Sequence, residues 1–129
     1  MIKSKYIRDI LDLLLDGDKE GIKGGKQINY LTEDGYDYTG SGVYVRFKHL
    51  DGIIDFKVGN DDLILNGVKI QTTEFPIEAE ATLFFKHGII DYLEICCYSG
   101  DYPKQDLAKY TLTQIWENSP KRFITTEQN

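Results

Sequence analysis

Residues 77–98 read IEAEATLFFKHGIIDYLEICCY, and this stretch predicts two antiparallel β-strands joined by a tight turn. Apolar and polar residues alternate with a period of two in each half, which is typical of a strand with one buried face. A two-residue turn at positions 87 and 88 would place the two apolar sets on opposite faces of the sheet. A three-residue loop over residues 86–88 pairs Phe85 with Ile89 and keeps both sets together. We therefore predict a bulged turn with Gly88 in the left-handed conformation.

Two further hairpins are predicted upstream of this stretch. Residues 63–70 read LILNGVKI, and an Asn-Gly pair between apolar runs is typical of a two-residue hairpin turn. Residues 43–47 alternate as a half-buried strand, and apolar residues recur at positions 54, 56 and 58 after a turn over residues 49–52. The sequence therefore predicts that the segments 43–47 and 54–58 pair with each other.

A single helix is predicted at the N-terminus, over residues 2–16. Apolar residues recur there at three- and four-residue spacing, which indicates an amphipathic helix. Glycines at positions 17, 21, 24 and 25 are expected to end it and to begin a flexible connection. Residues 107–116 fit either a helix or a strand, and residues 117–129 are polar and expected to be frayed at the end.

These elements predict an α+β fold for one domain over residues 1–129. We expect a single antiparallel curved sheet of about six strands, covered by the N-terminal helix on its apolar face.

The charge balance is acidic, with 15 Lys and Arg against 21 Asp and Glu and a net charge of -6. Such a surface repels phosphate backbones and anionic lipid, so we expect neither a nucleic-acid nor a membrane partner. A basic protein is the partner that the charge favours. Solubility alone is the alternative explanation of the acidity.

Histidines and cysteines form no recognisable catalytic or zinc-binding set. The two histidines, His49 and His87, fall in predicted turns, without a nucleophile beside them. Cys96 and Cys97 are adjacent, so they project to opposite faces of one strand, with Cys97 toward the core. We therefore expect no catalytic residue and no cofactor.

Residues 16–22, DGDKEGI, match the first half of a calcium-binding EF-hand loop. The second half departs from that pattern, because Gln27 occupies the place of the bidentate glutamate. We expect a polar connecting loop without a metal ion.

Residues 32–42, TEDGYDYTGSG, combine acids and tyrosines between glycines, and we expect a partner-binding loop there. Tyrosine supplies large contact area at low entropic cost, and carboxylates suit the Lys and Arg side chains of a basic partner. The candidate partner-binding residues are Glu33, Asp34, Tyr36, Asp37 and Tyr38. The alternative is an ordinary connecting loop whose tyrosines lie on the sheet.

Residues 88–95, GIIDYLEI, followed by residues 98–103, YSGDYP, resemble small bacterial immunity proteins of polymorphic toxin and contact-dependent inhibition systems. The resemblance implies a cytoplasmic protein without enzymatic activity that binds a cognate toxin domain, often a basic nuclease, and occludes its active site. Immunity families share no fixed binding residues, so the resemblance assigns none in this chain.

Three functions are therefore compared, of which an immunity-type inhibitor is the first. The second is a small-ligand binding module with an apolar pocket between the sheet and the helix, lined from the 12% of aromatic residues. The third is an enzyme whose residues are dispersed along the sequence. A homodimer formed through an exposed edge strand is compatible with each of them.

Overall fold

The computed structural model describes residues 1–127, and it contains seven strands in one open antiparallel sheet. The strands in chain order are Leu31–Tyr38 (β1), Gly42–His49 (β2), Ile64–Gln71 (β3), Glu78–Lys86 (β4), Ile89–Ser99 (β5), Thr111–Gln114 (β6) and Phe123–Thr125 (β7). The helices are Lys5–Leu14 (α1) and Lys19–Gly24 (α2), with 3₁₀ helices at Gly25–Tyr30 and Ile53–Phe56. None of the helices in this described part is long and apolar enough to cross a membrane.

The order of strands in the sheet is β1-β2-β5-β4-β3-β6-β7. The α+β class and the single antiparallel sheet are therefore confirmed, with seven strands in place of about six. β4 and β5 lie near the middle of the sheet, so the stretch that predicted the first hairpin forms its centre.

Helix α1 covers one face of the sheet, where it packs against β3, β4 and β6. The N-cap residue is Ser4, whose side chain accepts a hydrogen bond from the backbone N–H of Ile7 at 3.1 Å. The predicted N-terminal helix is confirmed with narrower bounds than 2–16. Its apolar face is almost completely buried and comprises Tyr6, Ile7, Ile10, Leu11, Leu13 and Leu14.

The β4–β5 hairpin is confirmed, but the predicted three-residue loop is wrong. The turn consists of two residues with positive φ, His87 at 55° and Gly88 at 77°, and Phe85 pairs with Ile90. The extra residue lies farther along, at Asp91, where the register shifts. This bulge places the apolar residues of β4 and β5 on the same face of the sheet. The three-residue loop was predicted to meet the same requirement.

The Asn66-Gly67 pair lies inside β3, so the hairpin predicted there is wrong. Asn66 pairs with Thr82 and Val68 pairs with Ala81, which leaves Gly67 as the extra residue of a β-bulge. Gly67 has φ 103°, the conformation that a turn would also have required. Both apolar runs therefore pair with β4 in one continuous strand.

The predicted pairing of segments 43–47 and 54–58 is also wrong. β2 pairs with β1 and β5, while Ile53–Phe56 forms a 3₁₀ helix in which Ile54 is 66% exposed. The buried residues of this segment are Ile53 and Val58, a spacing that is not the period of a strand. β5 pairs with β2 over five positions, from Gly42 opposite Cys96 to Arg46 opposite Tyr92.

The glycine-rich connection after α1 is helical rather than flexible. Asp18 caps α2, because its carboxylate accepts hydrogen bonds from the backbone N–H groups of Glu20 and Gly21. Gly24 is buried, and a Cβ there would lie 3.0 Å from Cζ of Phe85. These glycines permit close packing of the connection against the sheet.

The C-terminal region contributes two strands. Residues 107–116, which fitted a helix or a strand, include the strand β6. β7, a strand that the sequence did not predict, lies within the polar segment 117–129 and pairs with β6. The fraying was expected at the end of that segment. Residues 128 and 129 lie outside the described residues.

Candidate functional site

The helices pack on one side of the sheet, and the opposite side, here called the outer face, carries partly exposed aromatic side chains. Tyr92 on β5 lies between Phe84 on β4 and Tyr44 on β2. The rings of Phe84 and Tyr92 stack with centroids 4.5 Å apart, and Tyr44 meets Tyr92 edge-on at 5.9 Å. Aromatic pairs in this geometry attract each other beyond simple area burial, so they form a preorganised platform.

Beside this platform lies a concavity of about 600 Å³, here called the acidic-aromatic concavity. Three carboxylates and one guanidinium surround its aromatic rings, which leaves an excess of negative charge. Glu94 pairs with Tyr44 across β2 and β5 and adds another carboxylate nearby, which raises the pKa of the Tyr44 hydroxyl above its ordinary value. The lining residues are Asp34, Asp37, Asp91, Arg46, Tyr44, Tyr92 and Phe47.

The side chain of Arg46 extends from β2 over Gly35 of β1. Its Nε donates a hydrogen bond to Oδ2 of Asp37 at 2.8 Å, an exposed ion pair. A Cβ at Gly35 would lie 2.2 Å from Nη2 of Arg46, so only glycine permits this approach. A register shift next to Gly35 makes Asp34 the bulged residue of β1, and the concavity includes its side chain.

The five predicted partner-binding residues lie on edge strand β1, so the expectation of a loop is wrong. Asp34 and Asp37 are exposed and line the concavity, while Glu33, Tyr36 and Tyr38 are half-buried. The Glu33 carboxylate accepts two backbone N–H groups just before α1, each at 2.8 Å. The predicted set is therefore divided between the outer face and the α1 side.

Tyr44, Arg46 and Asp91 belong to the concavity but were not predicted from the sequence. Period-two alternation places Tyr44 and Arg46 on the polar side of β2, as it does Tyr92 on β5. The strand order β1-β2-β5 then brings these side chains beside Asp37. Asp91 is positioned by its bulge, which the alternation does not reveal.

A cluster of tyrosines fills the α1 side beneath β1. The hydroxyls of Tyr6 and Tyr102 are hydrogen-bonded at 2.8 Å, and the rings of Tyr36 and Tyr38 stack with centroids 6.1 Å apart. Burial is the largest cause that raises the pKa of Tyr6, Tyr36 and Tyr102 above the ordinary value. Burial and a hydrogen bond to Asp9 raise the pKa of Tyr110 to about 12.

These raised pKa values predict a loss of stability at alkaline pH. The unfolded chain releases its phenolic protons near pH ~10, whereas the folded protein retains them to higher pH. The free energy of unfolding should therefore fall above pH ~10 and continue to fall up to about 12, the pKa of Tyr110. Urea denaturation at a series of pH values measures how steeply the free energy of unfolding falls with pH. Tyr110→Phe should make that fall less steep. Tyr98→Phe makes the same change on an exposed ring, and an equal reduction in both variants would contradict the assignment.

The two histidines meet at a second, smaller concavity of about 370 Å³, lined by His49, Lys86, His87, Ile89 and Asp91. Nε2 of His49 lies 2.6 Å from the carbonyl oxygen of Ile90. Because that oxygen can only accept, Nε2 carries the proton and joins the end of β2 to β5.

Neither cysteine forms part of a ligand cluster. Cys96 is exposed, whereas Cys97 is half-buried and packs against the core, and both are free thiols. Burial raises the pKa of the Cys97 thiol, which keeps it protonated and poorly nucleophilic. Within residues 1–127, no group of three or more His, Cys, Asp or Glu side chains is arranged to hold a metal ion.

Comparison with models of known protein families, with curated proteins and with solved structures found no match to this chain. Function is therefore inferred from the geometry and charge of the site itself.

Proposed function

We propose that this protein is a non-enzymatic, immunity-type inhibitor that binds and neutralises a basic toxin domain through the acidic-aromatic concavity. The observation that carries the proposal is the group of three carboxylates around the exposed ring of Tyr44 and the half-buried ring of Tyr92 on the outer face. The implied setting is the cytoplasm of a bacterial cell, as for the proteins that residues 88–103 resemble.

The concavity suits a lysine or arginine side chain of the partner. A cation is attracted to the face of a tyrosine ring and to the surrounding carboxylates at the same time. Tyrosine is also enriched among the residues that contribute most to protein–protein affinity. The stacked pair of Phe84 and Tyr92 provides apolar area beside this charged site.

Charge also supports a protein partner rather than a nucleic acid. The net charge is -6, so the whole surface attracts a basic domain and repels a phosphate backbone. An inhibitor with this charge associates quickly with a basic active site and covers it sterically.

The small-ligand alternative receives less support from the interior. Side chains pack tightly beneath the middle of α1, where Ile7, Ile10 and Leu11 have no exposed surface. The concavity between the end of α1 and β3, which Leu14, Leu65 and Trp116 help to line, measures only about 160 Å³. The two larger concavities described above open instead at the surface of the sheet.

Affinity capture from the native cell at low salt tests the proposal. We expect a stoichiometric basic domain that is released by raised salt and whose toxic activity the purified inhibitor abolishes. Recovery of the protein without a partner, or of a partner whose activity is unaffected, would contradict the proposal.

Neutralising the concavity should slow association with the recovered partner. We expect the triple variant Asp34→Asn, Asp37→Asn, Asp91→Asn to associate about tenfold more slowly at low salt, because steering depends on local charge. The difference should shrink in high salt, where the Debye length is short. Stopped-flow or surface-based kinetics at two ionic strengths provide the measurement.

A matched control removes three charges elsewhere. Asp62→Asn, Asp101→Asn and Glu117→Gln alter exposed residues that do not line the concavity. Equal slowing by both triple variants would show that net charge, not the concavity, directs the encounter.

A further inference from the structure

The outward edge of β1 presents backbone hydrogen-bonding groups to solvent. The N–H of Thr39 donates to the carbonyl of Gly42 at 3.0 Å. Thr39 and Gly42 are therefore a hydrogen-bonded pair at the end of the β1–β2 ladder. Hydrogen-bonded and non-hydrogen-bonded pairs alternate along an antiparallel ladder, so the backbone of Asp37 faces β2. The N–H and C=O groups of Tyr36 and Tyr38 therefore point away from the sheet. Within residues 1–127, β1 pairs only with β2, and no turn or loop backbone group forms a hydrogen bond with them.

This edge is the longer of the two that the sheet exposes. β1 has eight residues, whereas β7 at the opposite edge has three. The bulge at Asp34 interrupts β1, so its regular open segment is residues 35–38. An extended chain can form main-chain hydrogen bonds with such a segment.

We propose that an extended basic segment of the partner adds to β1 as an antiparallel strand. This inference rests on the proposed function and specifies how the partner is held. The residue opposite Asp37 projects on the outer face, where Asp34 and Asp37 favour lysine or arginine. The residues opposite Tyr36 and Tyr38 project on the other face, where the stacked phenol rings favour apolar side chains.

Charge disfavours a second copy of this chain at the same edge. If Tyr36 and Tyr38 of one copy paired with Tyr38 and Tyr36 of another, Asp37 would lie directly opposite Asp37 of the second copy. Like charges in that position destabilise strand pairing. The favoured occupant therefore carries basic residues where this chain carries Asp37.

Two N-methylated peptides test strand addition directly. The probe is a capped peptide of about eight residues in which lysine alternates with valine, a length that spans the open edge. In the proposed register each valine directs its N–H toward β1 and each lysine directs its N–H away. N-methylation of the valines should weaken binding about tenfold or more, whereas N-methylation of the lysines should leave it nearly unchanged. Fluorescence anisotropy with labelled peptides measures both affinities.

Amide exchange in the protein gives a second readout. We expect the unmodified peptide to slow hydrogen exchange at the amides of Tyr36 and Tyr38, with a much smaller change at Asp37, whose amide already faces β2. Asp37→Asn should weaken the peptide while the preference between the two methylated forms persists. Size-exclusion chromatography with light scattering should show a monomer, and a dimer with protected Tyr36 and Tyr38 amides would overturn the choice of occupant.

The outcomes separate this inference from the proposed function. Equal binding of the two methylated peptides, or no binding of the unmodified peptide, would overturn strand addition. Affinity capture of the partner, and slower association of the Asp34, Asp37 and Asp91 triple variant with it, would still decide whether the protein is an inhibitor.

Discussion

Gly42→Ala is expected to destabilise the protein by about 3–5 kcal/mol, because the added methyl group has no space within the sheet. A Cβ at Gly42 would lie only 1.9 Å from the carbonyl oxygen of Ile95 and 2.9 Å from its carbonyl carbon. Both atoms belong to the backbone of β5, so relief requires that β2 and β5 separate. β2 joins β1 to the rest of the sheet, which makes this pairing essential for the outer face. Urea denaturation followed by circular dichroism measures the loss.

Gly35→Ala is the matched control with a comparable overlap and a different neighbour. There the added Cβ would lie 2.2 Å from Nη2 of Arg46, the mobile end of a long side chain. Arg46 can move away, so we expect a cost within about 1 kcal/mol. The displacement should separate Arg46 from Asp37 without unfolding the sheet. Equal losses in the two variants would show that overlap with backbone is not what makes Gly42 irreplaceable.

Gln27→Leu is the second change for which we expect a loss of about 3–5 kcal/mol. The Gln27 side chain is fully buried, and its Nε2 donates to the carbonyl oxygens of Phe56 and Gly88, each at 2.9 Å. Its Oε1 accepts the backbone N–H of Ile90 at 2.8 Å. Leucine retains much of the volume but leaves the Phe56 carbonyl and the Ile90 N–H without these partners, at a cost of roughly 1–3 kcal/mol each. The Gly88 carbonyl keeps its hydrogen bond from the backbone N–H of Val58.

The exposed glutamine of β3 provides the control for this prediction. Gln71→Leu makes the same chemical change where solvent can replace the lost hydrogen bond, so we expect a change within ~0.5 kcal/mol. Chemical denaturation should give a much lower midpoint for Gln27→Leu than for Gln71→Leu. Similar midpoints would show that Gln27 does not stabilise the contact between the 3₁₀ helix Ile53–Phe56 and the β4–β5 turn.

A similar buried contact joins α1 to the C-terminal strands. Gln114 donates from Nε2 to the carbonyl oxygen of Leu13 at 2.9 Å and accepts the backbone N–H of Arg122, also at 2.9 Å. The sequence pattern does not identify Gln27 or Gln114 as a buried hydrogen-bonding residue, because a single polar residue forms no periodic pattern. The partners of both glutamines are also distant along the chain.

The pattern of apolar residues predicted correctly the elements that depend on residues close together along the chain. α1 follows from helical spacing of apolar residues, and β4 and β5 follow from period-two alternation that spans both strands. The turn predicted at Asn66-Gly67 was right about the positive φ of Gly67 and wrong about its context. Positive φ at Gly67 serves a bulge as well as a hairpin turn, and only the neighbouring strand β4 distinguishes the two.

The candidate site was predicted in part. Asp34 and Asp37 were chosen for their charge, and they do line the concavity on the outer face. Tyr36 and Tyr38 were chosen for the same surface but lie on the α1 side, because the segment is a strand and its side chains alternate. Whether these residues bind a partner stays a prediction.

The sequence by itself determined the α+β class, the acidic charge, the α1 helix and the central β4–β5 hairpin. Each of these depends on composition or on contacts between residues close along the chain. The tertiary structure alone decided the strand order, the bulges at Asp34 and Asp91 and the open edge of β1. Those features depend on which distant strands satisfy each other's backbone groups, and a one-residue bulge reverses the face that every later side chain occupies.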